Sequence, residues 1–269
     1  MKNTSRRTFL RGGTVLGIAA LAGCAAPSIE TREEETRVVS PAEFDSLEVL
    51  NVNGSITVEP WDSEEVELRI VKRGLFTDDI DAAEIDVGGD DRLTIARVVR
   101  DDDEPGRVVV TLHIRVPADF PVTHTSTSNG SIEVRGTTGD LEARSSNGSI
   151  SVRGIDGFVE LTTSNGSITC FDVAGIDGVR TTNGSLDVDV RAIRDDASIE
   201  TTNGSIEAAL AGSLDAELVA QTATGSIDAS ALSLADAAIS RTRVSGTLGG
   251  GGPTLTVSTS NGSIELSLL

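Results

Sequence analysis

The tetrapeptide Asn-Gly-Ser-Ile, or its copy with Leu, stands at Asn53, Asn129, Asn147, Asn165, Asn183, Asn203 and Asn261, with a Thr-Gly-Ser-Ile variant at Thr224. A fixed period is the signature of a repeat architecture, and it limits the fold more than any single residue does. From Asn129 the steps are 18, 18, 18, 20 and 21 residues. The 37 residues from Thr224 to Asn261 leave room for one degenerate unit around Ser245-Gly246-Thr247-Leu248, so the tract reads as about eight consecutive units.

Aligned on the motif, the units share columns. Two positions before the Asn, or its Thr equivalent, stand Thr127, Ser145, Thr163, Thr181, Thr201, Thr222 and Thr259. Three positions after it stand Ile132, Ile150, Ile168, Leu186, Ile206, Ile227 and Ile264, and five after it Val134, Val152, Cys170, Val188, Ala208, Ala229 and Leu266. Ala143, Leu161, Val179, Ile199, Ala220 and Val257 fill a further apolar column four positions before it. Mostly polar residues such as Glu142, Arg144, Glu160 and Asp187 intervene, so each segment alternates with period two, as a half-buried strand does.

Asn-Gly between alternating strands also signals a two-residue hairpin, because both residues take positive φ cheaply. An antiparallel meander therefore competes with a solenoid. The same residues flank every Asn-Gly on the same side, and like can stack on like only if successive units run parallel. The expected fold is accordingly all-β: a parallel β-helix, or β-solenoid, with ~18–21-residue coils at the spacing of parallel strands. Right-handed winding is expected, with two main strands per coil and a short third facet near Ile155, Val173, Val190 and Leu210.

A second signal occupies the first residues. Ser5-Arg6-Arg7-Thr8-Phe9-Leu10 matches the twin-arginine export pattern through Arg6 and Arg7, and an apolar stretch follows that is too short for an ordinary membrane span. It ends in Leu21-Ala22-Gly23-Cys24, which looks like a lipobox, the site at which a chain is cut before a cysteine that receives lipid. The expected organisation is a signal peptide at 1–23, a lipidated tether at 24–40, an N-terminal β cap and first coil at 41–122 and the repeat solenoid at 123–269. The implied partner is a membrane, reached through lipid on Cys24 and facing the exterior of the cell.

The chain carries 22 basic and 42 acidic residues. Processing would remove Lys2, Arg6, Arg7 and Arg11, leaving a charge near −24 and Lys72 as the one lysine. That excludes a generic electrostatic nucleic-acid binder. It resembles proteins of salt-loving archaea, in which high ionic strength screens self-repulsion. With Cys24 lipidated, Cys170 has no disulfide partner, and its column marks it as a small buried hydrophobe. The absence of Tyr and the single Trp61 argue against an aromatic sugar-stacking platform.

Several candidate sites have structural rivals. The Asn-Gly-Ser sequences are formal N-glycosylation acceptors, with Asn53 and Asn261 the foremost, but they are also what a coil corner calls for. The acidic residues Asp78, Asp79, Asp90 and Asp91 and the run Asp101 to Glu104 could gather Ca²⁺ or form solvated loops. The Gly249 to Gly252 run lacks the ending of a phosphate loop and reads as a flexible bend before the last coil. His113 and His124 are isolated, so no hydrolytic triad or zinc site is suggested. No catalytic residue, cofactor or metal is expected, although pectate-lyase-like enzymes share the architecture.

The segment His113-Ile114-Arg115-Val116-Pro117, followed by Thr-Ser-x-Gly-Ser/Asp-Ile-x-Val units from Thr127 to Leu268, resembles the adhesin-like β-strand-repeat family, the domain-of-unknown-function 4097 group. The resemblance spans roughly residues 44–269 and implies a parallel β-helix, often exported or membrane-linked, with no catalytic residues to carry over. With the lipobox and the acidity, the chain looks like a haloarchaeal surface lipoprotein of that family. The expected role is a non-enzymatic, adhesin-like module contacting a surface polymer or an envelope protein. The alternatives are a self-assembling scaffold like the bactofilins and a polysaccharide-active β-helix enzyme.

Overall fold

The computed structural model describes residues 31–99 and 107–269. Arg6, Arg7, Cys24 and the run 101–104 lie outside them. Apart from the short helix Thr77–Ala82, the described secondary structure is strand. Each motif forms the corner between two strands of one rung; in the Asn165 rung these are Phe158–Asn165 and Ile168–Phe171. Before the corner, Asn129, Asn147, Asn165, Asn183 and Asn203 pair in parallel, each with the next. After the corner, Ile132, Ile150, Ile168, Leu186 and Ile206 do the same. The pairing is parallel throughout this stretch, which excludes the meander and establishes a β-solenoid with two long sheets.

The columns turn inward as the alternation requires. Leu161, Ile168 and Cys170 are fully buried, and Ile155, Val173, Val190 and Leu210 close the core on the third side. Short bridges Pro121↔Thr138 and Thr138↔Asp156 mark that facet. Burial pushes the Cys170 thiol up to about 12, so it is un-ionised and inert at neutral pH.

At the C-terminal end, chain order and spatial order part company. The strand Ala197–Asn203 pairs not with Ala216–Thr224, which follows it in sequence, but with Thr254–Asn261. Thr254–Asn261 pairs on its other side with Ala216–Thr224, and Ile264–Leu268 likewise lies between Ile206–Leu210 and Ile227–Asp228. The chain therefore leaves one slot empty, lays the Thr224 rung beyond it, and returns to fill the slot with its final residues. The sequence expectation of consecutive rungs is corrected here. The degenerate unit around Ser245 is the strand Arg243–Leu248, antiparallel to Ala216–Thr224, with Ala235–Ile239 antiparallel beyond it. The Gly249 to Gly252 run is the return connection, pinned by Asp215, whose Oδ1 accepts from the Gly250 amide at 2.6 Å.

The N-terminal end also departs from chain order. The Asn53 rung, Ser46–Leu50 and Ile56–Trp61, lies between the Asn129 rung and an outer rung made by Arg92–Arg97 and Val108–Pro117. Val66–Gly74 covers Val108–Pro117 in antiparallel fashion, Ile85–Gly88 covers Arg92–Arg97, and Thr31–Val39 pairs along the whole of Val66–Gly74. Residues 31–39, read from their charge as tether, are thus the outermost strand of the cap. Glu34 bonds Arg69 and Glu33 lies 3.6 Å from the buried Lys72, so the polarity that suggested tether is what this edge needs.

At each end of the stack one sheet edge carries a device against further strand addition. The N-terminal edge strand carries Arg32, Glu33, Glu34, Glu35 and Arg37, and Ala235–Ile239 is bulged, with Asp236 at φ 50°. Charged edge residues and bulges are the devices by which sheets avoid edge-to-edge growth.

Candidate interaction surface

Backbone and side-chain hydrogen bonds fix the corner together. The Gly166 amide donates to the Asn183 carbonyl of the next rung at 2.9 Å, and Thr181 Oγ1 donates back to the Gly166 carbonyl at 2.9 Å. Ser145, Thr163, Thr201, Thr222 and Thr259 repeat the second bond in their own rungs. A Cβ on Gly166 would stand 2.2 Å from the Gly148 carbonyl oxygen. Gly is required by room between rungs, a signal distinct from the positive φ of a hairpin.

The asparagines form one ladder. Asn147, Asn165, Asn183, Asn203 and Asn261 each donate Nδ2 to the Oδ1 of the preceding rung at 2.8–3.0 Å, the Asn203–Asn261 link confirming the out-of-order rung. Asn129 accepts at the start of this run, and Asn53 instead donates to the Val108 carbonyl at 3.1 Å. In Asn53 and Asn261, the foremost glycan candidates, the amide nitrogen is therefore already engaged. Exposed hydroxyls flank the ladder on both sides, exemplified by Ser164 and Ser167, giving the corner an amide and hydroxyl ridge repeating at about 4.8 Å.

Outward from this ridge, the sheet before the corner presents Glu142, Arg144, Glu160, Arg180, Ser198 and Glu200. Arg144 pairs with Glu142 and reaches Glu160 at 3.6 Å, and Arg180 reaches Glu200 at 3.4 Å. Exposed pairs of this kind are worth about 0–1 kcal/mol each, so they shape the surface more than they hold the fold. An open depression of about 400 Å³ lies among Glu160, Thr162, Asp177, Gly178, Arg180 and Ser198, where Gly178 leaves a gap in the row. Beside it Arg194 bonds Asp140 at 2.7 Å and Asp177, and stacks 4.5 Å above Phe158. The Phe158 amide, and then Arg194, hold the Asp140 carboxyl below its ordinary range. Arginines likewise cover Trp61 and Phe171, so these rings are not bare stacking platforms.

The other sheet is strongly acidic toward its C-terminal end. Asp187, Glu207, Glu265 and Asp228 stand opposite one another on four adjacent strands. Like charges facing across strands are destabilising, and burial, then Asp189, raises the Asp187 carboxyl above its ordinary value. A carboxyl raised in the folded state costs nothing below its unfolded pKa and its full penalty above its folded one. Asp187→Asn should therefore raise the thermal midpoint at pH 7 in dilute buffer, by no more than the equivalent of about 0.5 kcal/mol given solvent screening. The gain should vanish near pH 3 and shrink, without vanishing, in molar salt, which screens Asp189 but not the cost of burial; a pH and salt series of melts would check both.

His113 and His124 are on different sheets, and His124 Nδ1 lies 3.3 Å from Glu142 Oε2. Among the described residues no group of three or more His, Cys, Asp or Glu side chains could hold a metal ion. Asp78, Asp79, Asp90 and Asp91 are thus not gathered into a calcium site within that region.

A family model described as Toastrack DUF4097 matches residues 31–267. The chain belongs to this family. The Toastrack match includes the edge strand Thr31–Val39 and extends through the inserted last rung. No curated protein matches the chain. Solved structures similar to this Toastrack chain include a candidate lipid-binding protein from Parabacteroides distasonis, 16% identical, with 87% of this chain and 96% of that one covered and a TM-score of 0.46. A candidate adhesin from Bacteroides fragilis is 15% identical, with 87% and 97% covered and a TM-score of 0.40. A candidate cell adhesion protein from Clostridium sporogenes is 14% identical, with 89% and 100% covered and a TM-score of 0.33. Those likenesses are weak, and the family assignment rests on the sequence match.

Proposed function

We propose that this Toastrack chain is a lipid-anchored module on the external face of the cell membrane, exported by the twin-arginine pathway and acting by non-enzymatic, adhesin-like contact. Its composition fits a haloarchaeal lipoprotein working in concentrated salt. The observation that carries the contact role is the corner ridge, where exposed hydroxyls flank a hydrogen-bonded asparagine ladder at one fixed repeat over successive rungs. Such a surface suits many weak, repeated polar contacts with a surface polymer or an envelope protein, and multiplicity raises avidity without any single strong site. The protected sheet edges favour this reading over end-to-end assembly.

Adhesion of cells lacking the chain tests the role. Attachment should fall on deletion, return with the wild-type chain, and stay low with Cys24→Ala, which should leave the protein in the medium rather than in the membrane fraction. Unchanged attachment on deletion would contradict the contact role, and membrane retention of Cys24→Ala would contradict the lipid anchor.

A further inference from the structure

The N-terminal end of the stack holds an apolar cluster that the contact role does not use. Leu75 and Phe76 are 64% and 61% exposed, Val99 is 48% and Val109 39%. The strand order places all four on one side of the cap. Gly74, immediately before Leu75, pairs with Thr31 on one side and with Val108 on the other, and the amide of Val98, immediately before Val99, donates to the Glu84 carbonyl beside the same corner. Large exposed side chains normally scatter singly over a soluble surface, and a grouping of them marks a contact.

The place of the cluster names its occupant. Thr31, the first described residue, lies beside Gly74, so the chain from Cys24 enters the fold next to Leu75 and Phe76. Seven Cα-to-Cα steps join Cys24 to Thr31, a reach of at most about 25 Å even when fully extended. Lipid on Cys24 would hold this end of the solenoid, and no other, against the bilayer. In concentrated salt a further contact at this end cannot be electrostatic, because charges are screened within about 3 Å at 1 M, whereas apolar contact persists.

We infer that Leu75, Phe76, Val99 and Val109 form a second, non-covalent contact with the lipid surface, seating the solenoid with its N-terminal end down. The choice of a lipid surface as occupant and the orientation rest on the lipid-anchor reading; the exposure of the four side chains does not. It directs the rungs and the C-terminal end away from the membrane.

The test separates the two. The mature chain from residue 24, carrying Cys24→Ala so that no lipid is present, is floated with phosphatidylcholine vesicles in 2 M salt. We expect a fraction to float with the vesicles, and Leu75→Ser with Phe76→Ser to reduce that fraction at least fivefold. Ile239→Ser, at the opposite end and 69% exposed, should leave it unchanged. Thermal midpoints of all three proteins should agree, since the altered side chains are exposed. No flotation of the unaltered chain, an equal fraction from the double variant, or an equal loss from Ile239→Ser would overturn the inference. None of these results bears on whether Cys24 anchors the protein in cells, which membrane fractionation of the full chain decides.

Discussion

Removing residues 253–269 should collapse the C-terminal third of the solenoid instead of trimming its end. These residues fill the slot between the Asn203 and Thr224 rungs, so their loss strips the pairing from one side of Ala216–Thr224 and of Ile227–Asp228. Leu255, Val257, Ile264 and Leu266 go with them, each no more than 2% exposed. At about 1.5–3 kcal/mol per buried side chain, the apolar loss alone is about 6–12 kcal/mol, the size of a whole domain's stability. The Thr224 rung and the two antiparallel strands beyond it have nothing else to rest on. Limited proteolysis of the truncated chain should cut freely throughout residues 211–252, while the rungs from Asn129 to Asn203 stay protected. A truncated protein that keeps 211–252 protected, with a midpoint only a few degrees lower, would be the behaviour of a solenoid stacked in chain order.

Gly166→Ala should be strongly destabilising although it adds a single methyl carbon. The added methyl carbon would stand 2.2 Å from the Gly148 carbonyl oxygen, 2.5 Å from its carbon and 2.8 Å from the Ser149 nitrogen, all backbone atoms that move only if two rungs separate. Separation would break the Gly148 to Asn165 amide bond, 2.9 Å, and the Thr163 hydroxyl bond to the Gly148 carbonyl beside it. A cost of about 3 kcal/mol or more is expected, as for forced overpacking of a core, which lowers the midpoint of a chain this size by roughly 6–12 °C. Gly212→Ala is the control, since nothing lies within 4 Å of its added carbon. It should stay within about 0.5 kcal/mol of wild type. Similar midpoints for the two variants would mean that the corner glycines are chosen for turn conformation, not for contact between rungs.

The contrast between those two glycines shows what the sequence carries. Parallel stacking of like on like was legible because the Thr, Asn, Gly and Ile columns each meet their own kind, and Ile168 beside Thr169 announces which way each faces. Rung order was not legible, for the same reason. The Asn203, Thr224 and Asn261 rungs present nearly identical columns, so the columns alone assign none of them to a slot, and only tertiary pairing shows that Asn261 lies in the middle. The strand Thr31–Val39 was missed because its half-buried residues include Glu33, Glu35 and Arg37, partners for a charged edge and not for a core. On the surface, the polar rows followed directly from the alternation. The nearness of Leu75 and Phe76 to Thr31 did not, since Thr31 and Gly74 are far apart in sequence and meet only through the register of the cap.

Cysteine cross-linking across the C-terminal rungs tests the central claim directly. Glu207 and Glu265 stand opposite one another on adjacent parallel strands, and so do Glu265 and Asp228. Adjacent strands lie about 4.8 Å apart, within the Cα range of a disulfide, whereas Glu207 and Asp228 are two strands apart, at about 9.6 Å and beyond it. Buried Cys170 is inert to exchange, and Cys24 is replaced by Ala. Under mild oxidation Glu207→Cys with Glu265→Cys should form an intramolecular disulfide, and Glu207→Cys with Asp228→Cys should remain reduced. The opposite result, a bridge between 207 and 228 and none between 207 and 265, would contradict the inserted rung.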